Sequence, residues 1–311
     1  MRVLFTCIIL FASACMAHSQ NEKNLAEKLG FDRNAKMLII HADDMGLSQG
    51  TNSAVTEAFL KRGITSGSIM VPCPWFPEIA EFAKNNTQYD IGIHLTLTSE
   101  WDNYFFGGVS PAVSIPNLIN SKGYFYPSVE EFAKHANTAE VEKEIRAQIE
   151  RALAFGIKPT HLDNHMGSIL ASPDYYQLLL KIGHEYKIPV LIPADMIAAI
   201  SKPMLDMLSR DNIVIDHLFM LNQASPNGKW GEPYLRFIEN MQPGLNQIIV
   251  HLAKNNDETR AIMVNHPDFG AEWRQNDLDF VLSSEFKEAL KKNNIHLVTW
   301  RQIGAIQYPE K

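Results

Sequence analysis

Two adjacent aspartates, Asp43 and Asp44, directly follow a run of apolar residues. The run reads Met-Leu-Ile-Ile and continues as His-Ala-Asp-Asp-Met-Gly, so a buried strand is expected to deliver both carboxylates to its end. Enzymes with parallel sheets carry their catalytic residues at the carboxyl ends of the strands. One carboxylate can bind a cation while its neighbour takes a proton from water, although a helix cap or an Asx turn fits the segment equally well.

Two other predicted strands carry histidines among alternating polar residues. One reads Thr-His-Leu-Asp-Asn-His, and its period of two places His161, Asp163 and His165 on one face. The other reads Asp-Ile-Gly-Ile-His-Leu-Thr-Leu-Thr and places His94 on a polar face. A lone strand histidine is usually a hydrogen-bonded core residue. Together with the paired aspartates, however, these side chains favour a metal site.

One carboxylate and two imidazoles around a divalent ion leave a net positive centre with open positions, as in catalytic sites. Such an ion lowers the pKa of bound water from about 16 to about 7 and polarises a carbonyl group. The set suits Zn or Mg, and Mn or Co is also compatible.

Apolar runs of strand length recur along the chain, each followed by helical spacing, which indicates repeated βα units. Eight strands are predicted, over residues 37–41, 66–71, 91–97, 160–164, 189–192, 213–218, 247–251 and 295–299. Helices are clearest at 138–155 and 283–293. Because no linker or internal repeat divides the chain, the sequence predicts one α/β domain with a barrel of such units.

One long connection, residues 99–137, departs from this alternation and is rich in glycine, proline and aromatic residues. Long loops in compact domains are often functional. Its aromatic side chains either stack on sugar faces or form a small satellite core, and both readings stay open.

The composition, 46% hydrophobic and 20% charged, is typical of a globular protein. The formal net charge of -7 provides no basic surface, so we expect neither nucleic acid nor an anionic membrane surface as the principal partner. A neutral or weakly charged substrate fits better. The sequence does not define the oligomeric state.

The chain begins with Met-Arg and an apolar stretch too short to span a bilayer comfortably, which predicts a secretory signal peptide over residues 1–19. The mature domain, 20–311, would then be periplasmic or secreted. Lipid attachment at Cys15 is a weaker alternative. Cleavage after Cys15 leaves Cys73 as the single cysteine, which we expect to be a small buried thiol rather than a nucleophile.

The order of the motifs resembles a known family. A strand ending in Ala-Asp-Asp-x-Gly, then Gly-x-His-Leu, then Thr-His-Leu-Asp-x-His, then Pro-Gly before a later histidine is similar to the YdjC/ChbG carbohydrate deacetylases, relatives of the polysaccharide deacetylases. The resemblance covers residues 37–303. It implies a distorted TIM-like (β/α) barrel that binds one divalent ion and removes an acetyl group from an N-acetylated sugar or oligosaccharide.

Matched motif to motif, the resemblance implies that Asp44, His94 and His165 are the metal ligands and that Asp43 is the catalytic base. His251 follows the Pro-Gly block and is the candidate general acid or oxyanion partner, with a structural role equally open.

Four further residues complete the candidate site. His266 competes with His251 for the same role. Asp163 would orient an imidazole from outside the ligand set. His161 does the same or only packs. Arg274 holds substrate or pairs with a site carboxylate, but we expect an exposed loop arginine.

Two other functions compete with a deacetylase. One is a different barrel hydrolase, either a glycosidase or a phosphoesterase, and the other is a non-catalytic carbohydrate-binding protein. Adjacent aspartates suit a glycosidase poorly, because successive strand side chains diverge. For the same reason Asp43 and Asp44 can reach one site only if the strand breaks, and Met45 and Gly46 are where the sequence predicts the break.

Overall fold

The computed structural model describes residues 23–209, 211–223 and 229–309. The predicted signal peptide lies outside these residues and stays a prediction. None of the helices within the described ranges has the length and apolar character needed to cross a membrane.

The described part of the chain forms one curled sheet of seven parallel strands, in the order β4-β3-β2-β1-β6-β5, with β7 paired to the beginning of β1. The strands are β1 (Lys36–Met45), β2 (Ser66–Ile69), β3 (Ile91–Leu95), β4 (Leu162–Asn164), β5 (His217–Met220), β6 (Gly244–His251) and β7 (Ile295–Leu297). Seven of the eight predicted strands therefore exist, with shifted ends.

The remaining predicted strand, residues 189–192, brings the edges of the sheet together without forming a regular strand. Val190 bridges Leu162 of β4, and Pro193 bridges Ile215 just before β5. The Leu162 amide donates to the carbonyl of Pro189 at 2.8 Å. The sheet thus curls into the distorted barrel expected from the sequence.

Helices cover the outside of the sheet. They are α1 (Leu25–Lys28), α2 (Gln49–Leu60), α3 (Phe76–Asn85), α4 (Val129–His135), α5 (Thr138–Ala154), α6 (Pro173–Tyr186), α7 (Ala194–Ile200), α8 (Lys202–Asp206), α9 (Glu232–Glu239), α10 (Asp257–Ile262), α11 (Ala271–Leu282), α12 (Ser284–Lys292) and α13 (Trp300–Gln307), with 3₁₀ turns at Ala112–Ser114 and His165–Ala171. Helix α5 begins after the capping side chain of Asn137, and its residues Val141, Ile145 and Ile149 bury one stripe in the core.

The long connection contains helix α4 and contributes to the main core. Phe106 and Phe125 are buried in that core, Trp101 is buried at the edge of a pocket, and Phe105 and Tyr124 are exposed. Cys73 is a buried free thiol, as expected.

Candidate active site

Strand β1 continues through both aspartates, four residues beyond its predicted end. Asp44 has a φ of 65°, in the left-handed region, and the pairing of β1 with β2 shifts between Ala42 and Met45. This irregularity lets Asp43 and Asp44 line the same pocket instead of facing opposite sides of the sheet. Strand β1 ends at Met45 and Gly46 has a φ of 94°, so the strand breaks where expected, and the backbone already deviates one residue earlier, at Asp44. Asp is one of the few residue types that tolerates this conformation.

Asp44, His94 and His165 bring three ligand atoms together; we call these residues the ligand triad. Asp44 Oδ1 lies 3.4 Å from His94 Nε2 and 3.3 Å from His165 Nδ1. The two imidazole nitrogens are 3.3 Å apart. His94 comes from β3, and His165 begins the 3₁₀ turn after β4.

The ligand triad fits a divalent ion. Ligands about 2.0 to 2.1 Å from a tetrahedral zinc ion are roughly 3.3 Å from one another, which matches all three separations. Within the described residues, Asp44 Oδ1 is buried and has no hydrogen-bond partner. A buried carboxylate oxygen without a partner needs a cation or a donor.

Carboxylates on the far side of each ring orient the two imidazoles. His94 Nδ1 lies 2.9 Å from Asp163 Oδ1, and His165 Nε2 lies 3.0 Å from Glu100 Oε2. Each carboxylate accepts a proton from its imidazole, so loss of the proton on the opposite nitrogen would leave a lone pair directed at the triad. Carboxylate partners of this kind fix the tautomer of metal-binding histidines and raise their basicity.

Below the triad, deeper in the barrel, His41 joins two carboxylates. Its Nε2 lies 2.8 Å from both Asp43 Oδ1 and Asp163 Oδ2, and its Nδ1 lies 3.0 Å from Ser66 Oγ. Burial alone lowers the pKa of His41, but hydrogen bonds to Asp163 and Asp43 and their charges raise this pKa to about 10. The Ser68 hydroxyl donates to Asp163 Oδ2 at 2.9 Å. We call His41, Ser66, Ser68 and Asp163 the lower cluster.

Arg274 is a buried residue of α11, so the expectation of an exposed loop arginine is wrong. Its side chain is 2% exposed, and its Nη2 lies 2.8 Å from Asp44 Oδ2. Its Nε donates to the carbonyl of Phe269 at 2.6 Å. Burial raises the pKa of Asp44, but the charges of Arg274 and His165 hold it well below its usual range. Arg274 therefore binds one oxygen of Asp44 and leaves the other for the triad.

His251 stands opposite Asp43, as the pairing of β6 with β1 dictates. Its Nε2 lies 4.0 Å from Asp43 Oδ2, and its amide donates to Asp277 Oδ2 at 3.0 Å. Burial lowers the pKa of His251 to about 4, against the opposing charge of Asp44. The imidazole is therefore neutral and can accept a proton.

The other two candidate histidines lie farther from the triad. His266 lines the pocket, packs edge-on against Trp101 with ring centroids 4.8 Å apart, and approaches Asp102 to 3.7 Å. His161 precedes β4 and packs between His41 and Trp300 at centroid distances of 5.0 and 5.2 Å. Burial and the charge of His41 hold the pKa of His161 well below its usual value.

Sequence reasoning missed several polar residues of the site. His41, Ser66 and Ser68 are polar residues on two buried strands, and that alternation was a usable signal. Glu100 follows β3 and carries no comparable pattern. Asp277, whose pKa burial raises to about 6, also accepts hydrogen bonds from Trp230 and Tyr234, which only the packing of α9 on α11 reveals.

A pocket of about 490 Å³ opens above these groups. Its polar side is lined by Asp43, Asp44, His94, Glu100, Trp101, His165, His251, His266 and Arg274. The opposite side is mainly apolar. The volume is within the range of small-molecule sites.

Comparisons with known proteins agree with this architecture. A family model described as YdjC-like protein matches residues 37–292. A carbohydrate deacetylase from Thermus thermophilus is 30% identical, over 90% of this chain and 98% of that protein. A carbohydrate deacetylase from Brevibacillus brevis is 28% identical, over 86% of this chain and 99% of that protein.

A solved structure agrees as well. A protein from Enterococcus faecalis V583, whose proposed role is cellobiose-phosphate cleavage, superposes with a TM-score of 0.73 at 25% identity, covering 86% of this chain and 99% of that one. Because the family model spans most of the chain, this protein belongs to the YdjC-like protein family.

Proposed function

We propose that this protein is a metal-dependent hydrolase that removes acetyl groups from N-acetylated sugars or oligosaccharides. The observation that carries the proposal is the ligand triad, with its two oriented imidazoles, beside a second carboxylate that faces the same pocket. The names of the relatives, carbohydrate deacetylases, support the same reaction.

Asp44, His94 and His165 would hold one divalent ion, with Zn or Mg as the first candidates and Mn or Co as alternatives. When bound, such an ion polarises the acetyl carbonyl and lowers the pKa of a water molecule. Arg274 would keep Asp44 in place through its second oxygen.

Asp43 is the general base of the proposed reaction. His41 lies 2.8 Å from its Oδ1, so Oδ2 is the oxygen turned toward His94 and His251, each at 4.0 Å. This oxygen would take the proton of the attacking water. General base catalysis by a positioned carboxylate contributes about 10² to 10⁴-fold in rate.

His251 would accept that proton from Asp43 and pass it to the nitrogen of the leaving amine. Its neutral imidazole lies 4.0 Å from Asp43 Oδ2, and the hydrogen bond from its amide to Asp277 holds its backbone in place. The C–N bond breaks as the amine gains the proton, which avoids expelling an amide anion.

The direct test is acetate release from N-acetylglucosamine oligomers and peptidoglycan fragments by purified protein supplied with Zn or Mg. We expect acetate in wild type and release slowed by about 10² to 10⁴-fold in an Asp43→Asn variant that still binds the ion. An absence of acetate across the panel from the ion-loaded protein would overturn the proposal. Release of reducing sugar without acetate, insensitive to chelator, would instead indicate a glycosidase.

We also propose that the mature protein is exported, on the basis of the apolar N-terminal stretch. Sequencing the N-terminus of protein isolated from outside the cytoplasm tests this. A new N-terminus at Gln20 would support it, whereas an intact Met1 on protein isolated from cells would contradict it.

A further inference from the structure

The side of the pocket that faces the ligand triad is an apolar slot. It is lined by Leu170, Leu179, Leu191, Leu218 and Ile249, together with Met166, Met196 and Met220. Leu179 and Ile249 are buried, whereas the three methionines are 36% to 46% exposed. The slot therefore combines buried aliphatic side chains with adaptable methionines.

The strand register shows that this apolar slot runs deeper than the triad. His251 pairs with Asp43, while Ile249 pairs with His41 two residues farther down. On β5, Met220 is level with Ile249, and Leu218 lies two residues lower. At about 3.3 Å per residue, the slot reaches roughly 7 to 13 Å below the level of His251.

The side chains of the apolar slot suit an alkyl chain better than a sugar ring. A buried sugar needs hydrogen-bond partners for its hydroxyl groups, and aliphatic and thioether side chains provide almost none. Tyr176 also lines the pocket, but its hydroxyl is buried without a partner among the described residues, so it offers a sugar ring at most one hydrogen bond.

We propose that the substrates are amino sugars whose N-acyl chain is longer than acetyl, with the chain in the apolar slot. The inference rests on the proposed function and specifies its substrate class. The acyl carbon is the atom that must reach the triad, so a chain attached to it enters the slot beside His251. An apolar aglycone is separated from the acyl carbon by the sugar ring, so we do not expect it to enter the slot.

The reaction is an ordinary hydrolysis. The oxygen of water bonds to the acyl carbon, the C–N bond breaks, and the proton lost by water ends on the amine. The products are the free amino sugar and a carboxylic acid with the original chain. No oxidant, reductant or second co-substrate is consumed.

The test is a series of N-acylglucosamines from acetyl to octanoyl, assayed by amine release from the ion-loaded full chain. Burial of each added methylene should raise kcat/KM about fourfold until the slot is filled. An N-acetylglucosamine octyl glycoside serves as the aglycone arm and should show no such gain.

The outcomes separate this inference from the proposed function. A kcat/KM that stays level or falls beyond acetyl overturns the inference and leaves the deacetylase intact. A gain only for the octyl glycoside also overturns it. If no member of the series, acetyl included, yields amine, the proposed function fails.

A variant that shortens the slot gives an independent check. Leu218→Trp should reduce the octanoyl to acetyl ratio of kcat/KM by roughly tenfold or more, because the added ring occupies the deep end. Leu60→Trp, on the outer side of α2 at a residue that is 65% exposed, is the matched control and should keep the wild-type ratio. An unchanged ratio in Leu218→Trp contradicts the proposal.

Discussion

The ligand triad and the lower cluster contain the same kinds of residue at adjacent depths of one barrel, but their polar atoms are satisfied differently. In the triad, three ligand atoms face one another at 3.3 to 3.4 Å, and Asp44 Oδ1 has no hydrogen-bond partner among the described residues. In the lower cluster, both nitrogens of His41 face oxygens of Ser66 and Asp163. The difference indicates which cluster receives an ion.

The lower cluster is an ion pair that supports the site above it. Asp163 links the two levels, since one of its oxygens contacts His41 and the other contacts His94. Although burial opposes it, the charge of His94 and hydrogen bonds from His41 and His94 lower the pKa of Asp163. A negative Asp163 accepts the proton of His94 Nδ1, so Nε2 is the nitrogen of His94 that would bind an ion. The ligand triad would thus bind the ion, and the lower cluster positions His94, one of its ligands.

The largest effect should come from removing the base while keeping the ligands. Asp43→Asn is expected to lower kcat for acetate release by about 10² to 10⁴-fold. Metal stoichiometry, measured by elemental analysis, should stay at that of wild type because Asp43 is outside the triad. Equal losses of bound ion and activity would show that Asp43 is a metal ligand and not a separate general base.

Breaking the buried pair between Arg274 and Asp44 should destabilise the protein most when no ion is present. Removing one partner of a buried ion pair costs about 3 to 5 kcal/mol, so we expect Arg274→Met to lower the free energy of unfolding by that amount in chelator. Added Zn should recover part of the loss, because the ion compensates the charge of Asp44. Urea denaturation with and without Zn measures both values. The same loss under both conditions would argue against an ion beside Asp44.

A smaller effect is expected from the residue that connects the two clusters. Asp163→Asn should weaken metal affinity about 10 to 100-fold, as is typical for partners of ligating histidines. Asp206→Asn, at an exposed surface carboxylate, is the matched control. Competition titration with a chelating dye gives the affinities. Equal affinities in both variants would show that Asp163 does not position His94.

A further effect is a pH dependence of stability that arises in the lower cluster. The pKa of His41 is about 10 in the folded protein, above its ordinary value of 6.5, so the folded state holds this proton more tightly. The stabilisation is complete below pH 6.5 and disappears as the pH rises through 10. The difference in unfolding free energy between wild type and His41→Gln should therefore shrink from pH 6 to pH 10. A difference that grows over this range would contradict a protonated His41.

Most of the fold follows from the sequence because strand periodicity and apolar runs are local signals. The sequence did not predict the full length of β1, nor that residues 189–193 would join the sheet without forming a regular strand. Strand β1 extends because β6 pairs with it as far as His251, and that pairing is a tertiary contact. Residues 189–193 complete the barrel through isolated bridges rather than a regular ladder.

The metal ligands were predictable from the sequence, because few residue types can bind a divalent ion. The structure brings Asp44, His94 and His165 together, and their spacing in the chain already placed each near the end of a predicted strand. Arg274 was read as a loop residue because its burial depends on the packing of α11 beside β6. The left-handed φ of Asp44 arises from the bulge against β2, which has no local sequence signature.

The most direct test of the central claim combines metal content with activity in one titration. Protein stripped with chelator is titrated with Zn or Mg while acetate release from an N-acetylglucosamine oligomer is followed. We predict no release without ion, full release at one equivalent, and no recovery in a His94→Ala variant at that equivalent. Acetate release that is insensitive to the chelator, or full recovery in His94→Ala, would contradict the ligand triad as the catalytic centre.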